Sequence, residues 1–160
     1  MKIYTSYFAL FRSLPVNAVP ISIALYPPEW YLGRQCYDKL APTPEILREW
    51  KALHDKDLYV EAYNEEILSK LSQVSVVNDL MKIARGYEPD EFIEEDASLN
   101  EDRDVILLCY ESPDEFCHRH IVAQWLQAAG YHCDEWSKVA DWDKIYPKTK
   151  HKTKVLFGMR

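Results

Sequence analysis

The spacing of apolar and polar positions places strands at both ends of the chain and helices between them. Lys2 to Tyr7 is rich in β-branched and aromatic residues and reads as a first strand. Ala18 to Leu25 (AVPISIAL) reads as a second. Its Pro20 cannot donate to a ladder, so this strand belongs at a sheet edge or begins late, at Ile21. Tyr26-Pro27-Pro28-Glu29-Trp30 then ends it in an ordered loop. Thr43-Pro44-Glu45 starts a helix, with Thr43 as N-cap and Pro44 in the first turn. Ile46, Leu47, Trp50 and Leu53 form its apolar stripe. A second helix, about Lys56 to Leu71, buries Leu58, Tyr59, Ala62, Tyr63, Ile67, Leu68 and Leu71. A third runs from about Val76 to Arg85 and stops at Gly86, a C-cap residue.

Val105-Ile106-Leu107-Leu108-Cys109 is apolar without alternation. Such a strand is covered on both faces, hence central and parallel. Ser112-Pro113-Asp114-Glu115 has the form of a capping box, so a helix is expected from Ser112 to about Ala129, stopped by Gly130. Tyr131 to Trp136 gives a short last strand. The order β–β–α–α–α–β–α–β predicts an α/β fold: a mostly parallel sheet of four to five strands with helices on its faces, a Rossmann-like three-layer arrangement. No repeat or low-complexity linker interrupts it, and residues 1–160 are expected to form a single domain.

Composition removes several function classes. Four glycines leave no Gly-rich phosphate loop, and neither G-x-G-x-x-G nor a Walker A sequence occurs. Cys36, Cys109, Cys117 and Cys133 are irregularly spaced. Met1 to Ala9 lacks the apolar stretch of a secretory signal, and no run reaches membrane-helix length. Reduced thiols in a cytoplasmic setting are the expectation, with no membrane partner.

The net charge of −7 is unevenly distributed. Residues 138–160 hold seven Lys/Arg against two Asp, and the rest of the chain 12 basic against 24 acidic residues. A basic C-terminal segment can contact nucleic acid, or stay solvated. Residues 87–102 carry eight acids and read as a surface loop.

In a parallel sheet, ligands bind beyond the carboxyl ends of the strands. Thr5-Ser6-Tyr7, Tyr26 to Trp30 and Cys109-Tyr110-Glu111 should converge there. The third segment continues into Ser112-Pro113-Asp114-Glu115-Phe116-Cys117-His118-Arg119-His120, which concentrates reactive side chains at a helix start. Such a start favours anions and lowers thiol pKa values. Glu111 is the candidate general base or acceptor, and Cys109 and Cys117 are candidate nucleophiles or pocket lining. His118 is a candidate acid–base group; His120 lies about 200° around the helix from it and cannot share its site. Arg119 is a candidate anion binder, with Glu115 as its structural alternative partner at i, i+4. Thr5, Ser6, Tyr7 and Trp30 are candidate ligand-binding residues, the aromatic pair by stacking on a planar ring. Cys117 is expected one turn inside the helix, where the dipole has decayed. The spacing C-x7-C-H matches no standard zinc pattern, so neither a metal nor another cofactor is expected.

Leu107-Leu108-Cys109-Tyr110-Glu111, Pro113 and Cys117-His118-Arg119-His120-Ile121 resemble the hallmark of the family catalogued as domain of unknown function 488, which has YeaO-like relatives. Weaker likeness lies in Ile3 to Phe8, Leu40-Ala41-Pro42, Leu47-Arg48-Glu49-Trp50, Tyr59 and Tyr63. The resemblance implies an α/β domain with the Cys/Glu/Cys-His-Arg group near one pocket, and implies no particular reaction. Two functions remain open: a small hydrolase or transferase acting on an anionic small molecule such as a nucleotide or nucleoside derivative, or a non-catalytic module binding a nucleotide, a nucleic acid or a protein.

Overall fold

The computed structural model describes residues 1–93 and 103–136. Most of the acidic segment and all of the basic segment lie outside the described residues. Four strands, β1 (Ile3–Tyr7), β2 (Val19–Ser22), β3 (Val105–Cys109) and β4 (Cys133–Glu135), form an all-parallel sheet in the order β2-β3-β1-β4. β3 is central and buried along its whole length, as its unbroken apolar run requires. β2 is an edge strand, where Pro20 weakens only one ladder.

The chain leaves β1 toward β2 on one side of the sheet and leaves β3 toward β4 on the other. On one face, Ile3, Ile21, Val105 and Leu107 pack against residues of all four described α-helices, among them Ile46, Tyr63, Leu80 and Leu126. On the other face, Tyr4, Ile106 and Leu108 pack against Phe8, Phe11, Tyr31 and Trp136.

Helix α1 (Pro44–Leu53) starts as its sequence predicts, with Thr43 Oγ1 accepting from Ile46 N at 3.1 Å. His54 then turns the chain at φ 50°, and Asp55 caps α2 (Lys56–Glu66). That helix is shorter than expected; residues Leu68–Lys70 form a 3-10 turn instead. Leu58 is exposed, because it falls outside the i, i+4 stripe of Tyr59 and Tyr63. Helix α3 (Gln73–Ala84) begins earlier than expected because Ser72 Oγ accepts from Ser75 N, and it ends where Gly86 adopts φ 90°.

The largest departure is the last helix. α4 spans His118–Ala128, and the expected start at Ser112 is incorrect. The Ser112 carbonyl takes the Glu115 N–H at 3.0 Å in an isolated turn, so the capping-box donor is spent locally. Phe116 then packs on Trp50 and Tyr59, and the helix begins only after Cys117. Cys117 itself is the N-cap residue, at φ −153° and ψ 144°, rather than one turn inside. The described cysteines are free thiols, and no helix among the described residues is long and apolar enough to cross a membrane.

Because α1 hangs on a single side-chain cap, Thr43→Ala should lower stability by about 1 kcal/mol. Urea denaturation measures this, and an unchanged midpoint would show that the cap contributes nothing.

Candidate active site

Beyond the carboxyl ends of β2 and β3 lies a cleft of about 370 Å³. Its floor is Cys109 from the end of β3 and Cys117 and His118 from the start of α4. Glu111 stands beside them on the loop after β3. Its outer wall is Leu47, Trp50 and Lys51 of α1, Tyr59 of α2 and Phe116. Ala24 to Tyr26, after β2, close the third side, and the Tyr110 hydroxyl donates to the Tyr26 carbonyl to tie the two loops together.

The floor is a compact buried cluster. Nδ1 of His118 lies 3.5 Å from Cys109 Sγ and 3.9 Å from Cys117 Sγ. The other ring nitrogen, Nε2, faces the Ile23 carbonyl at 2.8 Å. A carbonyl only accepts, so Nε2 carries a proton and Nδ1 is the nitrogen turned to both sulfurs. Glu111 Oε2 is 3.8 Å from Cys109 Sγ. The C-x7-C-H spacing thus brings together three ligand-type atoms within 4.8 Å of one another.

Two thiols this close do not ionise together. Burial alone would push Cys117 up, but hydrogen bonds from Cys109 and His118 and the charges of His118 and Arg119 outweigh it, holding Cys117 well below the ordinary thiol range. Its place at the α4 N-terminus acts in the same direction. Cys109 takes the opposite shift: its hydrogen bond to Cys117, then burial, then the charges of Cys117 and Glu111 hold it well above that range. The proton is thus favoured on Cys109 and the negative charge on Cys117. Burial and the neighbouring Cys117 charge also raise Glu111, so its carboxyl keeps its proton more readily than a solvated one. Burial first, then the neighbouring Cys117 charge, pushes Tyr59 up, and it remains a phenol.

Arg119 is fully buried and does not line the cleft. Its Nε and Nη2 donate to the two oxygens of Glu135 on β4, at 3.0 and 3.1 Å, and Nη1 donates to the Glu111 carbonyl at 2.6 Å. Its partner is therefore Glu135 and not Glu115. Thr5 Oγ1 also donates to Glu135, and the guanidinium lies over the Tyr7 ring, 5.7 Å from its centroid. Thr5 and Tyr7 thus meet the site through Arg119, from behind the floor. Ser6 points to the opposite sheet face, buried, and its Oγ has no partner among the described residues. Trp30 makes edge-to-face contacts with Phe8, Phe11 and Tyr31 and does not line the cleft. His120 does not line it either.

Sequence reasoning therefore located Cys109, Glu111, Cys117 and His118 together and missed the aromatic wall and Lys51. Trp50 and Tyr59 fitted apolar stripes and were assigned to the core; their place in the resemblance to a known family was the available signal.

A family model described as DUF488-N3a, active DUF488-N3 subclade, matches residues 26–130. That span includes Glu111, the cysteine–histidine floor and the aromatic wall, and excludes β1 and Glu135. No match was found among curated proteins or among solved structures.

Two outcomes follow from the site's electrostatics. In chelator-treated protein with Cys36→Ser, iodoacetamide at pH ~6.5, about two units below an ordinary thiol pKa, should alkylate Cys117 and spare Cys109 and Cys133. Burial pushes Cys133 up to about 12. Peptide mass mapping reads the result, and equal labelling of all three would contradict the assignment. Glu135→Ala leaves a buried guanidinium without its carboxylate and should cost about 3–5 kcal/mol in urea denaturation. A cost below about 1 kcal/mol, the scale of an exposed pair, would mean that Arg119 does not depend on Glu135.

Proposed function

The chain belongs to the DUF488-N3a family, and from that premise we propose that it is a hydrolase or transferase acting on an anionic small molecule with a flat ring, such as a nucleotide or nucleoside derivative. The observation that carries this reading is Cys117, a thiol held well below its ordinary range, at the floor of a cleft with the Glu111 carboxyl beside it. A thiolate is the nucleophilic form of cysteine, and a carboxyl whose proton burial holds more tightly can give it to a leaving group. Trp50, Tyr59 and Phe116 offer ring faces to a planar group, and Lys51 on the exposed rim offers a charge to an anionic one. The anion-binding role expected of Arg119 passes to Lys51, because Arg119 is enclosed by Glu135 and the Glu111 carbonyl.

In the proposed reaction, Cys117 Sγ attacks the electrophilic centre of the substrate and forms a covalent bond as the bond to the leaving group breaks. Glu111 gives its proton to the leaving group. Water, or an acceptor hydroxyl or amine, then attacks the thio-linked intermediate and returns its proton to Glu111. Cys117 leaves as the thiolate. Cys109 donates its S–H to that thiolate when the site is at rest. His118, fixed by Ile23, and Arg119 hold the positive charge that keeps it ionised.

A panel of nucleotides and nucleoside derivatives, assayed with native protein, Cys117→Ser and Glu111→Gln, tests this reading. Each substitution should lower turnover about 10²–10⁴-fold, while Lys51→Ala should raise KM more than it lowers kcat. Full turnover in both site variants sinks the reading, and binding without turnover by the native protein would favour the non-catalytic module.

A further inference from the structure

We infer that Cys109, Cys117 and His118 also form a binding site for a borderline-soft divalent cation of the zinc class, with its fourth position open to the cleft. The support is geometric. A tetrahedral centre with metal–sulfur bonds of about 2.3 Å and metal–nitrogen bonds of about 2.0–2.1 Å has sulfur–nitrogen edges near about 3.6 Å and a sulfur–sulfur edge near about 3.8 Å. The sulfur–nitrogen distances here are 3.5 and 3.9 Å, and all three atoms fall within 4.8 Å. The sulfur–nitrogen edges already match to a few tenths of an ångström, and drawing the two sulfurs together from at most 4.8 Å closes the third edge.

Three further features fit. His118 donates Nε2–H to the Ile23 carbonyl, the outer-shell bond that fixes a histidine ligand with its free nitrogen toward the metal. The ligands sit on rigid elements, one at a strand end, one at a helix N-cap and one in that helix's first turn. Charge balances as well: a divalent cation on two thiolates and a neutral imidazole carries no net charge, which suits residues that are each at most 5% exposed. Binding releases the Cys109 proton and any proton on His118 Nδ1 to solvent. Two sulfurs and a nitrogen exclude magnesium and calcium, which require oxygen ligands. Glu111 borders the open position, and the remaining coordination is completed by water from the cleft.

This inference stands on the ligand geometry and not on the reaction proposed above. The two meet in competition, because Sγ of Cys117 cannot hold a cation and attack a substrate at once.

The full chain, reduced and stripped with chelator, is titrated with Co²⁺ and then Zn²⁺. One equivalent of Co²⁺ should bind with thiolate-to-cobalt charge-transfer absorption and the intense visible bands of a tetrahedral site, and Zn²⁺ should displace it. Cys109→Ala, Cys117→Ala and His118→Ala should each weaken binding by more than the 10–100-fold that loss of an outer-shell partner costs. Cys36→Ala and Cys133→Ala should leave it intact. Zinc should also protect Cys117 of the native chain from iodoacetamide, a readout that needs no variant. Absence of charge-transfer absorption, binding that survives all three ligand substitutions, or binding lost with Cys133 would overturn the inference. If the metal titration fails while Cys117 still alkylates at low pH, the cation site falls and the thiolate chemistry stands.

Discussion

A guanidinium enclosed by protein has to have its charge and its donors met by fixed acceptors, and Arg119 meets that demand by drawing four parts of the fold together. It reaches β4 through Glu135, the loop after β3 through the Glu111 carbonyl, and β1 through the Tyr7 ring, while itself belonging to α4. Glu135 in turn accepts from Thr5. The group is nearly inaccessible to water, so its interactions are weakly screened and losing one partner is expensive. The bond to the Glu111 carbonyl fixes the loop that carries the Glu111 side chain to the cleft. The charge bears on Cys117, two residues earlier in the chain.

From that constraint the asymmetry of the sulfur pair follows. Cys109 and Cys117 have similar burial, yet only Cys117 sits at a helix N-terminus, and the Arg119 charge lowers it. One negative charge fits the floor of the cleft, and it settles on Cys117, with Cys109 as its hydrogen-bond donor. The same arrangement that favours one thiolate also lowers the cost of two, once a divalent cation replaces the protons. A site for nucleophilic sulfur and a site for a metal are therefore variants of one electrostatic solution, separated by what occupies the space between Cys109, Cys117 and His118.

Much of the scaffold was readable because its signals are local. The unbroken apolar run of β3, Pro20 at an edge, the Thr43 cap and Gly86 after α3 each specify a neighbourhood of a few residues. The gathering of Cys109, Glu111, Cys117 and His118 was also legible, since one strand and one helix start carry all four. What escaped was set over longer range or by competition. Arg119 chose Glu135 on β4 over Glu115 one turn away, because β4 lies parallel to β1 beside α4 and presents a buried carboxylate. The Ser112–Glu115 capping box yielded to a simple turn once Phe116 packed on Trp50 and Tyr59. The aromatic wall was hidden because residues of a cleft and residues of a core obey the same spacing along α1 and α2.

The buried charge of Arg119 helps to hold Cys117 as a thiolate at the floor of the cleft. Titrating the ultraviolet absorbance of the thiolate, in metal-free protein with Cys36→Ser, tests it when the same titration is run on Arg119→Lys. Ionisation well below the ordinary thiol range is expected in the parent, with a clear upward shift in the lysine variant, whose single ammonium cannot serve Glu135 and the Glu111 carbonyl as the planar fork does. A parent thiol that titrates like a free cysteine, or a curve unchanged by the substitution, would contradict it.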